Sequence, residues 1–218
     1  MAKILVTGGA GNIGSFIVDK CLDNGHEVIV VDNFYNGKFR NISDHLKKSE
    51  IFLETIDISS WDMVKYVFKK HKPNYVSHQA SLMIMDSKKF PYKAIDTNIT
   101  GTFNIIQACI EFEVEKLVYA SSASVYGDPR SVPVSEDHPF DNETLYGATK
   151  IAKEALMKSW AYSHDIPFIG FRYFNIYSER QGLGAFYTQV FQKWIHAINN
   201  DEEIIMYGDG EQTLDLVH

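Results

Sequence analysis

Two side chains four residues apart, Tyr146 and Lys150 in Tyr146-Gly147-Ala148-Thr149-Lys150, have the types and spacing for proton transfer. On a helix, positions i and i+4 project from one face. A phenol with a pKa of about 10 is a poor base at neutral pH, but neighbouring positive charge favours its phenolate. Bringing that pKa to about 7 takes roughly 4 kcal/mol of differential stabilisation, within reach of cations in a partly dry cleft. Tyr-x-x-x-Lys is common by chance on amphipathic helices. Its company is what makes it specific. Upstream lies Ser121-Ser122-Ala123-Ser124-Val125-Tyr126-Gly127, where a hydroxyl can share charge developing on a reacting oxygen.

A second constellation stands at the N-terminus, Thr7-Gly8-Gly9-Ala10-Gly11-Asn12-Ile13-Gly14. Gly8 allows a tight turn, Gly11 lets backbone approach a pyrophosphate, and Gly14 permits close helix–sheet packing. A glycine triad alone is weak, but here a strand candidate precedes it and a helical pattern follows. Asp32 ends the next strand candidate, near the about 20-residue offset at which a carboxylate binds the adenosine ribose 2′-hydroxyl. No Arg follows at once to accept a 2′-phosphate; the chain runs Asn33-Phe34-Tyr35-Asn36-Gly37. NAD is therefore expected over NADP, and its oxidised nicotinamide is a second cation for Tyr146.

These residues need elements to place them. Strand candidates are Lys3–Thr7, Glu27–Asp32, Ile51–Thr55, Tyr75–His78, Lys116–Ala120 and Phe168–Tyr173, with helical patterns near 13–24, 39–48, 60–71, 91–112 and 146–163. That alternation predicts an α/β fold, a Rossmann doubly wound parallel sheet with helices on both faces. Such sheets bind ligands at the carboxyl ends of their strands, and every chemical motif above follows a strand. Residues 128–144, with Pro129, Pro133 and Pro139, read as an irregular surface loop. The βα rhythm breaks after Asn175, so residues 1–174 are expected to form the dinucleotide-binding domain. Residues 175–218 would begin a smaller substrate region. The chain stops at His218 directly after a turn and strand pattern, as a fragment would.

Composition sets outer bounds. With 45% apolar and 22% charged residues the chain is ordinary for a globular protein. A net charge of −7 gives no electrostatic reason to expect nucleic acid as a partner. Cys21 and Cys109 sit in apolar helical patterns and read as buried, reduced thiols, with no disulfide framework or metal spacing. Ile4-Leu5-Val6 is too short for a secretory h-region, and no run approaches a membrane helix of about 20 residues. A cytoplasmic protein is expected.

The ordered set of motifs resembles the extended short-chain dehydrogenases/reductases, and among them the NAD-dependent epimerase/dehydratase group acting on nucleotide sugars. The likeness spans the chain. Besides the turn, the serine motif and Tyr-x-x-x-Lys, it includes Asp32-Asn33, Asp57-Ile58, His78-Gln79-Ala80-Ser81, Thr97-Asn98, Gly101-Thr102 and Arg172-Tyr173-Phe174-Asn175. The resemblance implies that Asn12 and Ile13 touch the pyrophosphate, that Asp57 and Ile58 flank the adenine, and that Asn33, Asn36 and Gly37 lie beside the cofactor. Gln79, Ala80, Ser81 and Thr97 would line the dinucleotide path, Asn98 would organise a water near the lysine, and Phe174 would pack near the nicotinamide. Ser122 is implied as the catalytic hydroxyl, with Ser124 and Asn175 at the sugar nucleotide. Tyr146 would take the proton of a sugar hydroxyl, at C4, while hydride passes to NAD. Lys150 would lower the Tyr pKa and hold the nicotinamide ribose. In relatives the long helices near 91–112 and 146–163 pair across a homodimer.

Departures from the family pattern narrow this. The Asp-Glu pair that dehydratases need after the catalytic residue is Ala123-Ser124 here, which disfavours dehydration. The usual Tyr-Gly-Pro-Arg-Gln reads Tyr177-Ser178-Glu179-Arg180-Gln181, and Gln212-Thr213-Leu214-Asp215 has Leu where relatives place an Arg against the diphosphate. Arg180 is a candidate to compensate. Leu82-Met83-Ile84-Met85 reads equally as a packed loop or as a wall of an unusual sugar pocket. Three functions stay open: a nucleotide-sugar epimerase, a net dehydrogenase or reductase of nucleotide sugars, and a catalytically inactive NAD-binding module.

Overall fold

Apolar runs such as Ile4-Leu5-Val6 and Val28-Ile29-Val30-Val31 leave neither side of a strand suited to water, and Leu5, Val6, Val28, Ile29 and Val30 are fully buried. A computed structural model describes residues 1–181, 189–206, 208–211 and 213–218. Strands β1 (Lys3–Thr7), β2 (Glu27–Val31), β3 (Ile51–Glu54), β4 (Tyr75–His78), β5 (Lys116–Ser122) and β6 (Phe168–Tyr173) form one sheet in the order β3-β2-β1-β4-β5-β6. Every pairing in it is parallel. The order reverses between β1 and β4, which opens a crevice at their carboxyl ends.

Helices α1 (Asn12–Asp23), α2 (Ser43–Lys47), α3 (Trp61–His71), α4 (Ile84–Lys89), α5 (Pro91–Ile95), α6 (Gly101–Glu111) and α7 (Leu145–Leu156) connect these strands. Leu5, Ile29, Val76 and Leu117 turn to one face, where they pack with Val64 and Phe68 of α3 and Ile105 and Cys109 of α6. Val6, Val28 and Val30 turn to the other face, against Val18 of α1 and Ile42. On that second face Ile169 and Phe171 of β6 are exposed among the described residues. Beyond the large sheet, β7 (Asn175–Ile176) pairs with β8 (Leu216–Val217), and α8 covers Gln189–Asn199.

Several expectations shift in detail. The pattern over 91–112 is α5 and α6 joined by a wide i→i+5 turn at Asp96–Thr100, and α7 runs on into a similar turn at Met157–Ala161. The 39–48 pattern divides into a 3₁₀ turn at Phe39–Asn41 and the short α2. The stretch Leu82–Met85, read as a packed loop or a pocket wall, runs into α4 at Ile84; Asp86 in the helix's first turn and Lys88-Lys89 in its last suit the helix dipole. Cys109 is buried, but Cys21 is only half-buried, because its turn of α1 lies toward the open part of the second face; neither is in a disulfide. No helix among the described residues is long and apolar enough to cross a membrane.

Candidate active site

Because all six strands are parallel, their carboxyl ends share one edge, and the chemical motifs converge there. At β1 the turn Gly8–Gly11 leads into α1, whose N-terminus carries no side-chain cap, leaving its first N–H groups and partial positive charge free for an anion. Gly8 adopts φ +67°, and a Cβ on Gly14 would stand 2.1 Å from the Gly8 carbonyl oxygen. Only glycine fits either position. Gly11, Asn12 and Ile13 lie half-buried in the same turn, and the Asn12 side chain bonds the Ser178 hydroxyl.

Asp32 follows β2. Its carboxylate accepts from the Ala10 N–H at 2.9 Å and the Phe34 N–H at 2.8 Å. Burial pushes its pKa up while those two backbone bonds oppose the rise. Gly37 lies against the same carboxylate, where a Cβ would come within 2.6 Å. Asn33 donates to Asp57 at 3.1 Å and Asn36 to Asp86 at 3.3 Å, so the segment after β2 is tied to the end of β3 and to α4. Asp57 also accepts from Ser59. Ile58, by contrast, turns its side chain into the core against Gly101.

After β4, the Ala80 N–H donates to the Thr7 hydroxyl at 3.2 Å, bringing Gln79-Ala80-Ser81 over the β1 turn. Gln79 Oε1 is buried without a hydrogen-bond partner among the described residues. Asn98, fully buried in the wide turn, accepts from the Leu82 N–H at 2.7 Å and from Ser81 at 3.1 Å. It donates to the Leu82 carbonyl and to Thr149 at 3.0 Å. One amide thus fastens the β4 loop to α7, beside Lys150; Thr97 is half-buried next to it.

The helix bearing the Tyr/Lys pair starts under a firm cap: Thr144 accepts from the Gly147 N–H at 3.0 Å and is itself held by Asn142. Tyr146 and Lys150 are both buried, at 6% and 2% exposure, with the Lys150 Nζ 5.3 Å from the Tyr146 ring centre. Lys150 also donates to the Ala120 carbonyl at 3.2 Å. Burial pushes the Tyr146 phenol up to about 12, opposed by a hydrogen bond from Ser122, and pushes Lys150 down to about 7. Desolvation therefore outweighs the Ser122 hydrogen bond at the phenol. Ser122 ends β5 and accepts from the Ser124 N–H at 3.2 Å. The Ser124 hydroxyl is buried and unpartnered among the described residues.

Other residues complicate the picture drawn from sequence. Lys153 is fully buried with no partner for its Nζ among the described residues, and it and Lys150 disfavour each other's charge. Its signal was the spacing 146, 150, 153 along one helix face. His78, fully buried between Thr7 at 2.7 Å and Thr102 at 3.0 Å, is held neutral by burial and by the two lysines. Phe174 sits 6.4 Å from the Tyr126 ring, whereas the Asn175 amide is turned to the Asp215 carbonyl at 3.0 Å. Arg180 is committed to Asp19 at 2.6 Å and stacked 4.3 Å from Phe16, so it faces α1. Leu214 is exposed, and Gln212 lies outside the described residues.

A glycine turn opening an uncapped helix and a carboxylate fixed after β2 together fit a dinucleotide, and the site is that of a Rossmann-type nicotinamide enzyme. Comparison with known proteins makes this specific. Residues 4–218 match the model of the NAD dependent epimerase/dehydratase family, and the chain belongs to that family. It is 35% identical over 216 residues to a putative UDP-glucose 4-epimerase of Methanocaldococcus jannaschii, covering 99% of this chain and 69% of the relative. A crystal structure of UDP-glucose 4-epimerase with UDP-glucose from Thermotoga maritima superposes with a TM-score of 0.91 at 32% identity, over 99% of this chain and 69% of that one. A Thermus thermophilus UDP-glucose 4-epimerase complex with NAD gives 0.89 at 30% identity, over 99% and 70%. NAD is the cofactor.

Proposed function

We propose that this chain acts as a nucleotide-sugar epimerase on a UDP-sugar, through transient oxidation at C4. The observation that carries the reading is the dry Tyr146–Lys150 pair beside Ser122 at the mouth of an NAD crevice. The lack of an Asp-Glu pair at Ala123-Ser124 disfavours dehydration, and relatives named as UDP-glucose 4-epimerases supply the substrate class.

Bound NAD supplies the acceptor, and afterwards the donor, of the C4 hydrogen. The chain's own residues manage the proton. Tyr146 Oη takes it from the C4 hydroxyl and returns it to the opposite configuration after the ketone has turned over in the site. Ser122 hydrogen-bonds the reacting oxygen and favours the phenolate. Lys150 adds positive charge whenever it is protonated and, through its bond to Ala120, is held against the end of β5. Gly11, Asn12 and Ile13 hold the pyrophosphate, Asp32 the adenosine ribose, and the Asp57 side the adenine. Gln79, Ala80, Ser81 and Thr97 line the path between, and the unpartnered Ser124 hydroxyl is offered to the sugar nucleotide. We place the boundary between the cofactor domain and the substrate region at residues 174 and 175, where the large sheet gives way to the β7–β8 pair. A homodimer through α6, α7 and their wide turns is supported by the exposed Phe103, Trp160 and Tyr162 there; a monomer in light scattering at micromolar concentration would argue against it.

Incubation with UDP-glucose and NAD tests the reaction. Appearance of UDP-galactose without accumulating NADH supports epimerisation; NADH in proportion to product would replace it with net oxidation.

A further inference from the structure

Arg172 occupies β6 in register with Ser121 of β5, and both side chains turn toward α7. Its guanidinium grips Glu154 of α7 in bidentate fashion, Nε to Oε1 at 2.9 Å and Nη2 to Oε2 at 2.8 Å. The Ser121 hydroxyl donates to the same carboxylate. The remaining nitrogen, Nη1, reaches away from the helix, donating to the Tyr126 phenol oxygen at 3.0 Å and to the Glu136 carbonyl at 2.7 Å. The flat cation lies 5.0 Å from the Tyr126 ring and 5.2 Å from that of Phe140. The ion pair is largely shielded, with side-chain exposures of 22% and 13%, and Glu154 stands one turn beyond Lys150.

The segment 126–141 is long and has no regular structure of its own, and three of its residues converge on one guanidinium. It leaves directly from the serine turn and returns by a bond from the Asp141 N–H to the Val125 carbonyl at 3.2 Å. Tyr126 in turn stands against Phe174, two residues after Arg172. A lysine could keep the charge but not this fork.

We propose that Arg172, held by Glu154, is a positioning residue that seats the 126–141 segment over the site and thereby sets sugar-nucleotide affinity; this rests on the reading under Proposed function. Neither residue touches the phenol or the amine, so the effect belongs to substrate binding and leaves NAD binding alone.

The test compares the wild-type chain with Arg172→Lys and with the double variant Arg172→Met/Glu154→Met, in which an apolar pair of similar bulk replaces the buried ions and keeps the fold. Two quantities are read on NAD-loaded protein: the UDP-glucose Kd by calorimetry, and the rate of tryptic cleavage after the exposed Arg130, identified by fragment mass. Both variants are expected to weaken UDP-glucose about tenfold or more and to speed that cleavage by a similar factor, with NAD affinity and melting temperature near those of the wild type. An unchanged UDP-glucose Kd, an unchanged cleavage rate, or NAD affinity lost in parallel with melting temperature each overturns the proposal. If the wild-type chain neither binds nor interconverts UDP-glucose, the functional reading fails instead, and cleavage alone decides whether Arg172 seats the segment.

Discussion

The two halves of the crevice are built from different material. On the β1–β3 side the ligand surface is mostly backbone: a glycine turn, an uncapped helix end and a carboxylate fixed by two N–H groups. On the β5–β6 side it is mostly side chain: a buried phenol and amine and the hydroxyls of Ser122 and Ser124, supported by a guanidinium that grips a carboxylate. Backbone surfaces recognise what every dinucleotide shares, phosphate and ribose, and they tolerate little change. On the proposed reading, side-chain surfaces carry the reaction and the choice of sugar, and their strength depends on protonation and desolvation. The cofactor half should therefore fail in binding, and the catalytic half in turnover.

The sharpest way to break that division is Tyr146→Phe. Removing the group that we propose moves the proton is expected to lower interconversion about 10²- to 10⁴-fold, with NAD binding by calorimetry unchanged within a factor of about two. Loss of NAD binding in that variant would join the two halves. A second break uses pH. Lys150 is held at about 7, against about 10.4 in an unfolded chain. Between those values the unfolded chain carries a proton that the folded one lacks, so stability rises with pH from about 7 to 10 and is lost again as pH falls toward 7. Tyr146, raised to about 12, acts in the opposite sense above about 10. Urea denaturation of the cofactor-free protein is expected to show this rise, at most about 1.4 kcal/mol per pH unit for each proton; buried Lys153 adds to it in the same sense, so Lys150→Met is expected to lower the slope without abolishing it. Equal slopes in the two proteins would refute the dry-amine account. In the cofactor half, Asp32→Ala removes the acceptor that we propose binds the ribose and should weaken NAD by about 1–2 kcal/mol. Turnover at saturating NAD stays close to wild type, as steady-state kinetics would show.

How much of this could be read in advance follows the same division. The strands, their parallel pairing and the site edge were legible because continuous apolar runs followed by glycine, Asp or Ser have few alternative uses. The β1 turn was visible because its demands are local, all within Thr7–Gly14. Tyr146, Lys150 and Ser122 were visible because helix spacing and a strand end put them near one another. What sequence did not show are partnerships between distant residues. Nothing local marks Glu154 as the partner of Arg172, Asn98 as the fastening of Leu82 to Thr149, or Asp19 as the partner of Arg180. Ile58 and Lys153 show a related limit: a motif position or a helix spacing does not say whether a side chain turns to the crevice or, as these two do, into the interior. The α4 helix was missed because six residues are too few to display a period.

The smallest expected effect bears on where the halves differ most, in how the reacting group is held. Thr144 caps α7 by accepting from the Gly147 N–H, two residues past the start of a helix whose second residue is Tyr146. Thr144→Ala deletes that acceptor and should cost about 1 kcal/mol of stability, the usual worth of such a cap. A loss of that size leaves the fold intact, but it falls on the turn that fixes the phenol against Ser122. The expected signature is a melting temperature lowered by a few degrees, a kcat reduced severalfold and an unchanged NAD affinity. Thr144→Ser, which keeps the acceptor, should restore both stability and kcat. If Ser fails to rescue, or if kcat holds steady while stability drops, the capped turn is scaffolding alone, and the aim of Tyr146 is set from the β5 side.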